Sequence, residues 1–212
     1  MPSRATSDKN RYIVCMNVRP PNFEPTTTAA EGLQRRRFTV AEIEHMTALG
    51  IFQEDERFEL IGGEIVPMSP KGIQHEILKS ALNRYWSKVA PDDLFFTSET
   101  TFRLSVDTFL EPDFVFYSKA AGLPGLNAET ALLAVEVANT SLGYDLGAKA
   151  RLYAAFGIKE LWVIHAVKLE THIHREPRGG RYHYKRKFKP KNRLVPKLAP
   201  VFAVALSDLE LI

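Results

Sequence analysis

A single cysteine, Cys15, occurs among the 212 residues. An internal disulfide is excluded, as are thiolate zinc sites and dithiol redox motifs, which need at least two such residues. Long apolar runs are missing too. No stretch approaches the ~18 residues of a membrane span, and the apolar run Ala131 to Val135 is only strand-sized. No leader-like apolar stretch follows the charged N-terminus, Met1 to Asn10, so no secretory signal is expected and the cytoplasm is the default location. No internal repeat is visible.

What is present fits one globular domain: 45% hydrophobic and 25% charged residues can support a buried core over most of the length. Residues 1–37 hold Pro20, Pro21, Pro25, a Thr26-Thr27-Thr28 run and arginines at 35 to 37 without a sustained apolar period, which predicts a flexible tail. The remainder, 38–212, reads as one domain. Net charge is +3, but it is unevenly spread. Between Arg175 and Lys197 ten of the 28 Lys and Arg residues face one acid, Glu176, so the rest of the chain carries 18 bases and 24 acids. With Tyr182, Tyr184 and Phe188 interleaved, this basic segment of 175–197 has the composition for phosphate neutralisation and aromatic contact; the same composition also serves a solvated hairpin.

Thr39 and Glu42 have the spacing of a capping box, followed by Val40, Ile43, Met46 and Leu49 on one stripe until Gly50. Phe58 to Val66 predicts a hairpin around Gly62-Gly63, since two glycines supply the positive φ angles of a two-residue turn. The apolar spacing from Ile73 to Val89 predicts a long amphipathic helix ended by Pro91. Strands are expected around Leu94 to Ser98, Thr100 to Val106, Asp113 to Tyr117, Ala131 to Ala138, Glu160 to His165 and Leu169 to Arg175. A helix from about Tyr144 to Phe156 intervenes, and Arg178-Gly-Gly-Arg181 is a turn. The order predicts an α/β fold, a mixed central sheet flanked by helices.

Glu136 lies inside the apolar run Leu132 to Val137, where an unpaired carboxylate would cost several kcal/mol. Three remedies exist: a structural Lys or Arg, a raised pKa, or a divalent cation shared with a second carboxylate. Asp113, after Pro112 and before Phe114-Val-Phe116, is that second carboxylate in a similar strand context. Alternation places Glu136 with Leu132 and Ala134, and Asp113 with Val115 and Tyr117. Two such acids on neighbouring strands suit Mg²⁺. Asp145, Lys149 and Tyr153 are spaced by four on the next helix, so Lys149 either points back to the acids or pairs with Asp145 at the surface.

Taken together, Phe58-Glu-Leu-Ile-Gly-Gly-Glu-Ile65, His75, Pro112-Asp113, Val135-Glu-Val137 and Asp145-x-x-x-Lys149-x-x-x-Tyr153 resemble the Uma family of restriction endonucleases in the PD-(D/E)XK nuclease-like superfamily. Gly157 to Val163 is similar to the family's following strand. The resemblance implies a restriction-endonuclease-like core, an endonuclease hydrolysing phosphodiester bonds in DNA, and Asp113 and Glu136 as ligands to Mg²⁺, with Mn²⁺ a possible substitute. The superfamily's lysine two residues after the acid is replaced here by Ala138, and Lys149 stands in for it. Glu64 and His75 fall on the family's upstream Glu and His; Glu59 matches a further position but suits a structural ion pair. Lys185, Arg186, Lys187 and Lys189 would grip the nucleic-acid backbone, and a homodimer would supply two sites for two strands. Two other readings compete: an inactive nucleic-acid-binding module of the same fold, and a metal-free glycosidase, which requires two carboxyl groups ~5–9.5 Å apart beside an aromatic groove. His172 and His174, two apart on a strand, suggest a metal only if a third ligand joins them.

Overall fold

The capping box at Thr39 forms reciprocally: its hydroxyl accepts the Glu42 N–H, and the Glu42 carboxylate accepts the Thr39 N–H. This begins α1, Val40–Ala48, in a computed structural model that describes residues 36–53 and 55–212. The tail expected over 1–37 therefore lies, up to residue 35, outside the described residues. Ten strands and the other helices follow in the order β1 Phe58–Ile61, β2 Glu64–Pro67, α2 Ile73–Val89, β3 Leu94–Thr97, β4 Phe102–Ser105, β5 Thr108–Leu110, β6 Phe114–Ser118 and β7 Leu133–Ala138. After β7 the chain forms α3, Leu142–Tyr144, a π-helical turn, Asp145–Lys149, and α4, Ala150–Ala155. Strands β8 Glu160–His165, β9 Thr171–Arg178 and β10 Arg181–Phe188 then complete the sheet.

Two sheets result. The larger runs β10-β9-β8-β7-β6-β3, with β7 and β8 parallel and the other pairs antiparallel, so the expected mixed sheet is present. Every residue of β7 is buried, as its apolar sequence requires of a central strand. The parallel β7–β8 pair needs a crossover, and the helical segment from 142 to 155 provides it. In the smaller sheet, β2-β1-β5-β4, the strand expected over Thr100 to Val106 is β4; a strand not expected from the sequence, β5, follows the turn at Val106-Asp107 and joins the hairpin sheet. That turn has neither Gly nor Pro, which is why turn chemistry does not reveal it.

Alternation divides the core. Phe114, Phe116, Leu133, Val135 and Val137 face α2 and pack with Leu78, Leu82 and Trp86. The Trp86 ring lies edge-on to Phe114 and Phe116, at 5.0 and 4.9 Å between centroids. On the other face Val115, Ala134, Ala138, Leu161 and Val163 pack against Leu152, Tyr153 and Phe156 and against Phe102, Leu104 and Leu110 of the small sheet. A third cluster joins α1 to that sheet through Val40, Ile43, Phe58, Leu60 and Phe109. Trp86, Trp162, Phe114 and Phe116 are all fully buried, so these aromatics build core rather than an open sugar-binding groove.

The small sheet matters because it carries Glu59 to the acids. Its hairpin turns at Gly62 (φ 58) and Gly63 (φ 81), and a Cβ at Gly63 would stand 2.5 Å from that of Arg37. Gly63→Ala should therefore combine left-handed strain with a steric clash and lower stability by about 1–3 kcal/mol, read as a lower urea midpoint with an unchanged m-value.

Candidate active site

β6 and β7 pair antiparallel with Phe114 opposite Val135, so one further step along the same register sets Asp113 opposite Glu136. Both lie at one end of the two strands. Their environments differ in a way that their shared residue type does not reveal.

Asp113 is held from three directions. Its Oδ2 accepts the backbone N–H of Val137 at 2.8 Å, which locks the carboxylate to the neighbouring strand. Its Oδ1 accepts from Lys71 Nζ at 2.8 Å and meets His75 Nε2 at 3.0 Å. Burial alone would raise its pKa; the His75 hydrogen bond and the Lys71 and His75 charges outweigh that and bring it down to about 2. His75 is placed by the first turn of α2, and its Nδ1 meets Glu76 Oε1 at 3.0 Å. Lys71 stands four residues earlier in the loop that leads into α2. It also pairs with Glu99, which Lys79 and Arg57 join from other directions.

Glu136, on the same face of the sheet as Asp113, points toward the helical crossover. Tyr153 OH donates to its Oε1 at 2.6 Å, and Lys149 Nζ stands 3.0 Å from the same oxygen. Lys149 is also 2.9 Å from Glu59 Oε1, which takes the Glu111 N–H as well. Thus Glu59 does form an ion pair, and its partner is the site lysine itself. The surface pairing of Lys149 with Asp145 does not form: both are buried in the π turn, and Asp145 accepts from Ser141 at 2.6 Å. A π turn inside a helix is a frequent mark of functional sites.

Burial raises the Glu136 pKa to about 8; the Lys149 charge works against this, while Asp113, Asp145 and Glu59 add to it. Lys149 moves up, because the attraction of Glu136, Glu59 and Asp145 exceeds the desolvation penalty on its ammonium. Asp145 is raised, chiefly by burial. Four carboxyl groups therefore act on one another around two lysines. Glu160 supplies the contrast: this buried strand acid is satisfied by Trp162 Nε1, Arg175 and the Lys197 N–H, an arrangement with ordinary structural purpose.

Among the described residues no group of three or more His, Cys, Asp and Glu is arranged to hold a metal. The donor chemistry nevertheless fits Mg²⁺, which needs only one or two protein carboxylates besides water and phosphate oxygens. The excess acid around Lys149 is charge that a cation would relieve. Glu64 opens β2 opposite Ile61, half-buried. His172 is half-buried and His174 buried on β9, and burial takes His174 down to about 4.

The basic segment is split by strand alternation. Glu136 pairs across to Val163, Val163 to His172, and His172 to Lys187, so a single row of the sheet runs from the acid to the edge strand. Three interstrand steps make that row roughly 14 Å long. Lys185 and Lys187 share the face of Glu136; Arg186 belongs with Tyr184 and Phe188 on the face of α2, its guanidinium 5.9 Å over the Phe188 ring. Lys189 lies just past β10, exposed. Edge lysines also discourage strand addition by another chain.

Sequence reading passes over Lys71 and Glu99. The available signal for Lys71 is its four-residue spacing from His75 at a helix start; nothing in sequence links either residue to Asp113. No curated protein matches the chain. Among solved structures it is similar to one from Anabaena variabilis described as a "putative nuclease belonging to DUF820", with a TM-score of 0.61, 16% identity, and coverage of 81% of this chain and 96% of that one. At that identity the likeness speaks for a shared fold, the restriction-endonuclease-like one. The Uma2 profile, described as "Putative restriction endonuclease", matches residues 40–207, and over that span the chain belongs to this nuclease family.

Proposed function

We propose that the protein is a divalent-metal-dependent endonuclease that hydrolyses phosphodiester bonds in DNA. The observation that carries this reading is the placement of Asp113 and Glu136 opposite one another at the ends of two central strands, with the Lys149 amine against Glu136. Mg²⁺ or Mn²⁺ between the two carboxylates would supply Lewis-acid stabilisation of charge on the phosphoryl oxygens and a water of lowered pKa. Every other role falls to side chains. Lys149 orients the attacking water or meets the developing negative charge. Tyr153 fixes the Glu136 rotamer through its short hydrogen bond. His75 fixes Asp113 and stands where a proton can be relayed toward the leaving oxygen. Glu64 is the candidate for holding a further water or ion at the hairpin.

The test is a nicking and linearisation assay on supercoiled plasmid across Mg²⁺ and Mn²⁺ titrations. Cleavage by the wild type that is lost in Asp113→Asn and Lys149→Met supports the proposal; intact plasmid throughout counts against it. A second reading has its own support: the Asp113 oxygens already have protein partners, as they would in a nucleic-acid-binding module that has lost its ion. Salt-dependent DNA retardation without cleavage, unchanged by Asp113→Ala, selects that reading.

Both readings give Lys185 and Lys187 a place on the duplex backbone. Lys187 is offset from Glu136 by ~14 Å along one sheet row, about four base-pair steps of 3.4 Å, and Lys185 stands on the same face in the row of Ala134. Replacing both with Glu should weaken binding to all sequences alike and reduce the slope of log K against log salt by about two, read by fluorescence anisotropy. An unchanged slope would remove them from the interface. The cytoplasmic setting and a homodimer with two sites belong to the same proposal.

A further inference from the structure

Two ammonium groups touch the acids, and they are anchored very differently. Lys149 is 5% exposed, sits in the π turn of the crossover, and pairs with both Glu136 and Glu59. Among the described residues it has no acceptor outside the site. Lys71 is 15% exposed and lies in the short irregular stretch before α2; it joins Asp113 on one side to Glu99 on the other. Glu99 is a fixed acceptor: its backbone is held at φ 50, and Arg57 and Lys79 grip the same carboxylate oxygen that Lys71 uses. Asp113 would keep partners without Lys71, because His75 and the Val137 N–H remain.

We propose that Lys71 is a positioning residue that competes with the divalent ion: it neutralises Asp113 Oδ1 when no cation is bound and passes wholly to Glu99 when one arrives. This rests on the reading of Asp113 and Glu136 as metal ligands. The physical basis is that two positive charges within a few ångströms of one buried oxygen repel each other strongly even at an effective dielectric of ~20, so one must leave. Lys71 is the one with a waiting acceptor and an unstructured backbone. Glu99 thereby sets how readily the ion binds, although it does not itself touch Asp113.

The experiment is isothermal titration calorimetry of the full chain with MnCl₂ in the absence of DNA, with each variant's fold checked by thermal unfolding. Lys71→Met should tighten Mn²⁺ binding about tenfold. Lys79→Met removes the same charge from Glu99 without freeing Asp113 and should change affinity by less than about twofold. Glu99→Gln, which leaves Lys71 only Asp113 to pair with, should weaken binding several-fold. The opposite signs at Lys71 and Glu99 are what a merely structural role would not produce. If the wild type binds Mn²⁺, with binding lost in Asp113→Asn, and Lys71→Met does no better than Lys79→Met, the competition is overturned while the metal site stands. Tighter binding by Glu99→Gln overturns it equally. If neither wild type nor Lys71→Met binds Mn²⁺ in a way that Asp113→Asn abolishes, the metal site fails and the competition with it.

Discussion

Glu136→Gln is expected to reduce plasmid cleavage by at least ~10²–10³-fold without unfolding the protein. The glutamine keeps an oxygen for the Tyr153 hydroxyl at the position of Oε1, so the buried hydrogen bond survives while the ligand charge is lost. Stability should respond in a direction that a simple structural acid would not give. With a folded-state pKa raised to about 8, well above the usual carboxylate value of 4.5, Glu136 holds its proton in the folded chain while the unfolded chain releases it. Its stabilising contribution is therefore complete below pH 4.5 and is lost as pH climbs to about 8. In chelator, the unfolding free energy of the wild type should fall over that window by up to ~1.4 kcal/mol per pH unit, the limit for one proton. Urea denaturation of Glu136→Gln should show that slope flattened. A variant that cleaves like the wild type would remove Glu136 from the chemistry, and an unaltered pH slope would mean that another group carries the proton.

Lys149→Met should abolish cleavage and, unlike the Glu136 change, destabilise the protein strongly. Removing one partner of a buried ion pair leaves uncompensated charge and typically costs about 3–5 kcal/mol. Here Glu59 and Glu136 both lose their nearest cation, and the neighbouring Asp145 loses a compensating charge. The loss should grow with pH. Without the lysine, which works against the rise at Glu136, that carboxyl moves higher still above its unfolded value, so the extra loss of stability appears as pH rises through about 8. Equilibrium unfolding at roughly pH 7 and pH 9 checks this: a penalty equal at both values would mean that Lys149 acts through packing alone. Divalent cations separate structure from chemistry in the same experiment. Should Mn²⁺ restore much of the lost stability of Lys149→Met but none of its cleavage, the acids bind the ion and the amine serves the reaction.

The two variants divide a constellation whose parts differ in how visible they are in the sequence. Asp113 and Glu136 stand out because each interrupts an apolar strand pattern, and an ionisable group in that setting requires a partner whatever the fold. Lys149 and Tyr153 follow from their four-residue spacing, although the π turn changes what Lys149 meets: it joins Glu136 and Glu59 and leaves Asp145 to Ser141. The hairpin at Gly62-Gly63, the helix Ile73–Val89 and the central position of β7 are local or nearly local properties, set by turn geometry and apolar period. The split of Thr100 to Leu110 into two strands of a separate sheet is different, since the decisive pairing of β5 with β1 joins residues far apart in the chain.

Residue type, spacing and burial pattern thus determined the strand acids, the helix amine, the hairpin and the class of fold, because each depends on neighbours within a few residues along the chain. Only the tertiary structure decided that Asp113 faces Glu136, that Glu59 shares its lysine, that Lys71 and Glu99 stand beside Asp113, and that Lys187 shares a sheet row with Glu136 while Arg186 does not. The physical reason is register: one residue of slip between strands would turn these side chains to the opposite face, and register is set by packing across the whole sheet.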